Sequence, residues 1–324
     1  MAQSQRRDQN APDGHAVLPP RLCAQQPETT GRKRCRDPTG DTAPSVTRSC
    51  RSAVIISWMN AARIASSRFT MSVEERPDAT APRLTLPHLD PLALDLTAAI
   101  HCGDITALRR LLAEHPGLAT ARMIGRHGQE GGWRTPLHVT ADWPGYFPAA
   151  PSAAAILLGA GADPNDDTGG VKPETPLHWA ASSDDLEVAE VLIDGGAGLD
   201  VPGGSIGTPL DNAVGYRCWN VARLLVERGA AVDALWHAAA LGMGRRLDEL
   251  LTGMPAPTDD EINEAFWQAC HGGQRRTAER LLAAGADPAF VPRYANGQTA
   301  AEAAVSPDTR REALGMWLRM GSGD

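Results

Sequence analysis

A chain of 324 residues that is 42% hydrophobic, 5% aromatic and carries a formal net charge of −8 is long enough for one large domain or two. The charge is split, with 11 Lys and Arg against 5 Asp and Glu in residues 1–70, which leaves 20 basic and 34 acidic residues beyond them. That acidic remainder argues against nucleic-acid binding, which needs a basic face, and no run approaches the roughly 18 apolar residues of a membrane span.

Residues 1–70 are rich in Arg, Ser, Pro, Gln and Thr, a composition that cannot bury enough surface to fold. Three readings stay open for them. They form a disordered extension, or an Arg-rich targeting segment despite Asp8, Asp13, Glu28, Asp37 and Asp41, or an untranslated stretch ahead of an alternative start at Met71. A proline-punctuated lead-in follows, so residues 1–90 are assigned to tail and lead-in and residues 91–320 to the folded part. The N-terminus, MAQSQRRDQNAPDG, lacks the apolar core of a secretory signal.

The folded part begins with LDLTAAIHCGDITALRRLLAEHPGLA from Leu94. Thr97, Ala98 and Ala99 predict an inner helix, Gly103-Asp104 a corner, and Leu108, Leu111 and Leu112 the apolar stripe of an outer helix. An enlarged loop over residues 120–134 carries Arg122, Arg126, His127 and Trp133 among four glycines, and Trp and Arg are the types most enriched at binding hot spots. The next helix pair opens at Thr135-Pro136-Leu137-His138, has an aromatic, proline-rich corner from Asp142 through Trp143 and Tyr146 to Pro148, and stops at Gly161-Ala162.

TPLHWAASSDDLEVAEVLIDGGAGLD, residues 175–200, states the plan in full. Thr175 caps a first helix and Pro176 stands where no N–H is needed. Leu177, Ala180 and Ala181 give that helix a small packing face. Val188, Val191 and Leu192 form the second stripe, and Gly195-Gly196 supplies the stop. After a finger over residues 201–207 the plan repeats at Thr208-Pro209-Leu210-Asp211, with Tyr216, Arg217 and Trp219 at its corner. ALWHAAALGMGRRLDELL then places His237 at the histidine position, with Leu247, Leu250 and Leu251 outside. Thr258 with Glu261 makes a capping box that begins a longer helix through Ala265, Phe266 and Ala269. The last pair runs from Thr299 to Leu314, Trp317 and Leu318.

The Thr-Pro-Leu-His opening at Thr135 precedes that at Thr175 by 40 residues, and Thr208 follows after 33. Motif, period and glycine stop together resemble the ankyrin repeat, whose signature is a period of about 33 residues with T-P-L-H-x-A opening the first helix. The resemblance implies an all-α ankyrin-repeat solenoid of about seven helix-turn-helix units with short connecting fingers. It further implies that His138, His178 and His237 bond backbone groups of adjacent turns, while His101 and His271 fall elsewhere and are expected at the surface. The implied function is non-catalytic protein recognition through the concave face and fingers by a monomeric, cytoplasmic module, with a basic partner favoured by the acidic charge. No nucleic acid, membrane, metal or cofactor is expected.

Candidate contacts are Arg122, Arg126, His127, Trp133, Lys172, Ser205, Tyr294 and Asn296. Cys102, Cys218 and Cys270 lack C-x-x-C spacing, so reduced thiols are expected. One short motif competes, because Gly203-Gly204-Ser205-Ile206-Gly207 satisfies the G-x-S-x-G nucleophile elbow of serine hydrolases. An elbow needs a buried strand before the serine, whereas Asp200 to Gly204 is turn-rich and reads as a flexible finger. A purely structural role in a larger complex is the third reading.

Overall fold

The computed structural model describes residues 83–125, 132–170 and 172–305, all within the compact unit Thr70–Asp324. Met71, Arg126, His127, Leu314, Trp317 and Leu318 lie outside the described residues.

Thr-Pro openings and glycine stops act as the sequence predicts. Thr135, Thr175, Thr208, Thr258 and Thr299 are extended N-cap residues, each in a reciprocal capping box with the side chain three residues on. At the other end of the plan Gly196 takes φ 95°, a left-handed conformation that a Cβ disfavours. Six helix–corner–helix pairs result among the described residues: α1 Pro91–Cys102 with α2 Ile105–Glu114, α3 Pro136–Thr140 with α4 Ala150–Gly159, α5 Pro176–Ser183 with α6 Leu186–Asp194, α7 Pro209–Gly215 with α8 Trp219–Glu227, α9 Leu235–Ala240 with α10 Gly244–Leu251, and α11 Asp259–His271 with α12 Arg275–Ala283. A thirteenth helix, α13 Ala300–Ala304, follows.

Each odd-numbered inner helix packs on the next, from α1 to α13, and the outer helices stack alongside from α2 to α8 and from α10 to α12. Buried Leu and Ala residues, among them Leu96, Leu137, Leu177 and Leu210 with Ala180 and Ala213, fill the seams. The core divides in two near the fifth pair. There the inner helix has only six residues and α10 buries only Leu247, so the neighbour coupling that stabilises repeat arrays is thin between the fourth and fifth pairs, whereas α9 packs extensively on α11.

The helical plan has one addition. β1 Thr85–Pro87 pairs parallel with β2 Arg122–Ile124, which pairs antiparallel with β3 Trp133–Arg134. The end of the proline-punctuated lead-in is therefore a strand with Leu86 buried, and two short strands lie within the segment read as an enlarged loop.

Corner hydrogen bonds within each unit mark its equivalent positions. Asp104, Asp185, Cys218, Met243 and Gln274 donate their N–H groups to Ala99, Ala180, Ala213, Ala238 and Ala269. Counting back from these bonds places Trp236, not His237, in line with His178 and Asp211, which corrects the sequence register of the fifth pair. The helix of this pair opens one residue later than its neighbours do, at an N-cap Ala234 that offers no side-chain bond.

The same register gives Trp267 the histidine's role. His138 and His178 accept at Nδ1 from the N–H groups of Thr135 and Thr175. The proton therefore rests on Nε2, which donates to Glu174 O at 2.9 Å and Gly207 O at 3.1 Å. Trp267 Nε1 donates to Gln298 O at 2.9 Å. Each carbonyl immediately precedes the next threonine cap. In the fourth pair Asp211 stands in this line and accepts from His237 Nε2 at 2.8 Å. Burial pushes the Asp211 carboxyl up, but the bonds from His237 and Thr208 outweigh it and hold it below its ordinary value.

One cap passes between units. Asp184 has φ 56° at its corner, and its carboxylate accepts from the N–H groups of Asn220 and Val221, both at 3.0 Å, at the start of α8. Asp184→Ala loses the cap and keeps the left-handed backbone, so about 1–2 kcal/mol of stability should disappear in urea unfolding. Asp184→Asn, which tolerates that backbone, should lose less, and equal losses would mean that the cap contributes little.

Candidate interaction surface

The six predicted contact residues that are described fall into three patches, not one. In the first, the Arg122 guanidinium lies 4.0 Å over the Trp133 ring, a stacked cation–π arrangement. Arg122 and Arg83 both bridge to Asp166, a buried carboxylate whose side chain is only 8% exposed. Trp133 donates its backbone N–H to Thr168 O at 2.8 Å, and its ring presses on Gly169, where a Cβ would come within 2.6 Å. Arg122 and Trp133 thus clamp the small sheet to the next finger, and only their outer edges face solvent. Arg83 and Asp166 belong to this clamp and were not among the sequence candidates, since nothing local links residues 83 positions apart.

Lys172 and Ser205 meet in the second patch. Lys172 Nζ donates to Ser205 O at 3.4 Å. Gly204 N–H donates to Pro173 O at 3.0 Å, Ser205 N–H to Glu174 Oε1 at 2.9 Å, and Ile206 N–H to Asn212 Oδ1 at 3.2 Å. The finger expected to be flexible is braced from both sides, because glycines at residues 203 and 204 let its backbone reach those acceptors. Ile206 remains 47% exposed at its tip. Ser205 Oγ accepts from Tyr216 OH at 3.0 Å and lies 3.5 Å from Asn212 Oδ1. No imidazole or carboxylate is within hydrogen-bond reach of Oγ among the described residues, and His178 is committed to Gly207. The geometry does not assemble the nucleophile and base that acyl transfer requires.

Tyr294 and Asn296 form the third patch, beyond α12. Tyr294 OH accepts from Gln268 Nε2 at 3.1 Å, and its ring meets Trp267 edge-on at 5.8 Å. Burial, then the neighbouring Glu264 charge, pushes the phenol well above its ordinary value. Asn296 is exposed in a left-handed turn. Beneath this patch lies His271, which corrects the expectation of a surface histidine: it is 3% exposed, bonded through Nδ1 to Gln268 Oε1 at 3.1 Å and flanked by Trp219 and Trp267. Its surroundings come from a corner two units earlier, which reaches it because Gly272 packs directly on the Ala240 carbonyl. His101 is likewise half-buried, stacked on Phe147 at 4.0 Å.

Among the described residues no helix is long and apolar enough to cross a membrane, and no group of three or more His, Cys, Asp or Glu is placed to hold a metal ion. Burial pushes the Cys270 thiol up to about 12, which leaves it unreactive.

The family profile described as ankyrin repeats (3 copies) matches residues 149–234. An ankyrin repeat protein of Rickettsia felis is 48% identical over 61 residues, 18% of this chain and 27% of its own length. The human SH3 and multiple ankyrin repeat domains protein 2 is 35% identical over 159 residues, 44% of this chain and 8% of its own length. The chain therefore spans under a third of either relative. The crystal structure of the human ASB11 ankyrin repeat domain is 20% identical, with a TM-score of 0.39, covering 68% of this chain and 95% of that one. Residues 149–234 are thus ankyrin repeats, set within an array whose described helix pairs follow the same plan.

Proposed function

We propose that the array is a non-catalytic binding module that holds a basic segment of a partner protein against its fingers and inner helices. The observation that carries this reading is the braced finger. Ile206 projects at 47% exposure from a backbone already tied to Pro173, Glu174 and Asn212, so a partner meets a surface whose ordering cost has been met on folding. Lys172, Ser205, Tyr294 and Asn296 are the remaining contacts proposed along that face. The outer edges of Arg122 and Trp133 extend it towards the small sheet, next to Arg126 and His127 in sequence. The acidic excess beyond residue 70 favours a basic partner through long-range attraction.

Affinity capture with the full chain and with Ile206→Arg, at low and high salt, tests the reading. A protein held by the native bait, reduced at least about tenfold by Ile206→Arg and weakened by salt is the expected result. Identical retention by both baits would remove the finger from the interface, and no specific retention by either would end the reading.

A further inference from the structure

The enlarged corner of the second unit points to a separate site, at the opposite end of the helix pairs from the fingers. Trp143 is 66% and Tyr146 61% exposed, in a loop fixed on every side. Asp142 at its start is tied to the buried Arg134 at 2.8 Å, and Gly145 N–H donates to Asp142 O at 2.7 Å. Tyr146 donates its N–H to Asp185 Oδ2 at 2.7 Å and its hydroxyl to Asp184 O. Phe147 stacks on His101, and Pro148 is packed so closely on Gly103 that a Cβ there would overlap its carbonyl. Tyr146 and Ala149 are held at φ 56° and 54°, conformations that non-glycine residues adopt only when their surroundings enforce them.

All of this rigidity serves a side chain that the fold does not use. Among the described residues Trp143 has no hydrogen bond or ring partner. A large exposed indole on an immobile backbone is a ready-made anchor, since little entropy remains to be lost on binding. The rim is acidic on both sides: Asp104 adjoins Gly103, and Glu187, exposed in the first turn of α6, follows the Asp185 that holds Tyr146. No Lys or Arg occurs from residue 135 to residue 171.

We propose that this corner docks an extended, proline-rich peptide segment bearing arginine, supplied by another protein. Proline rings pack on exposed Trp and Tyr faces without much ordering cost because the polyproline conformation is preformed. Arginine stacks on the indole and pairs with the acidic rim, whereas an acidic segment is repelled. This site goes beyond the finger reading and stands without it.

The test is fluorescence anisotropy of the full chain with three labelled peptides of equal length: alternating Pro and Arg, the same with Glu for Arg, and the same with Gly and Ser for Pro. The Pro–Arg peptide should bind, and Trp143→Ala and Glu187→Arg should each weaken it by about tenfold or more. Trp143→Ala should melt at the native temperature, because the ring is exposed. Ile206→Arg should leave the affinity unchanged, which separates this site from the finger surface. The proposal is overturned if the Pro–Arg peptide does not bind, if Trp143→Ala binds it as the native chain does, or if the Gly/Ser–Arg or Pro–Glu peptide binds equally well. None of those results touches the finger reading.

Discussion

Arg134→Ala should cost about 3–5 kcal/mol of stability, the range found when one partner of a buried ion pair is removed. Arg134 is 4% exposed at the end of β3, and its Nη1 lies 2.8 Å from Asp142 Oδ2. The pair spans the whole of α3, a helix of five residues too short to hold its own ends in register. Losing the guanidinium leaves a carboxylate that is 7% exposed without that counter-charge, which is costly away from water. Urea unfolding of Arg134→Ala, Asp142→Ala and the double variant measures the coupling. The double variant should be no worse than either single change, because the stranded charge is gone. A loss below about 1 kcal/mol would mean that the pair behaves as an exposed one.

This pair shows where the sequence stops speaking. Threonine caps, proline starts and glycine stops act within one turn of chain, so the helix pairs from Pro91 to Ala304 could be read from local pattern. Arg134 and Asp142 could not be paired, because their partnership depends on how β3 enters α3. Strands of two and three residues such as β3 and β1 carry no periodicity to read. The exposed candidates fared unevenly for the same reason. Lys172 and Ser205 were picked as finger residues and do meet, yet the bracing Glu174 and Asn212 came from neighbouring units. Arg122 and Trp133 were chosen for their types, and the structure spends much of both on the clamp to Asp166. Trp143 was visible in sequence as an aromatic at a corner, but only the backbone bonds of Gly145 and Tyr146 show that the corner is rigid. Trp267 escaped notice because α11 begins at Asp259, well over a turn early, which hides its place in the repeat until the Gln274–Ala269 bond is known.

The other large effect is on acid stability, and His271 carries it. Burial, with the nearby Arg217 charge adding to it, pulls its pKa from 6.5 down to about 3. At neutral pH the imidazole is uncharged in both states and contributes no pH dependence. As pH falls below 6.5 the unfolded chain takes up a proton that the folded chain refuses until about pH 3, so stability present above the unfolded pKa is lost across that interval. The slope is about 1.4 kcal/mol per pH unit, which amounts to about 2–3 kcal/mol between pH 6.5 and 4.5. Burial also lowers His178, and it works in the same direction. His271→Gln keeps a polar side chain beside Gln268 without a titrating group. Its stability should fall less steeply than that of the native chain over the same interval, and comparing the two chains cancels the carboxylates, which titrate in both. Parallel stability curves for the native and His271→Gln chains, or an NMR titration of His271 with a midpoint near 6.5, would show that the ring is hydrated in solution. That result would also loosen the packing of Trp219 and Trp267 around it, because a charged imidazole between two indoles needs water or a carboxylate within reach.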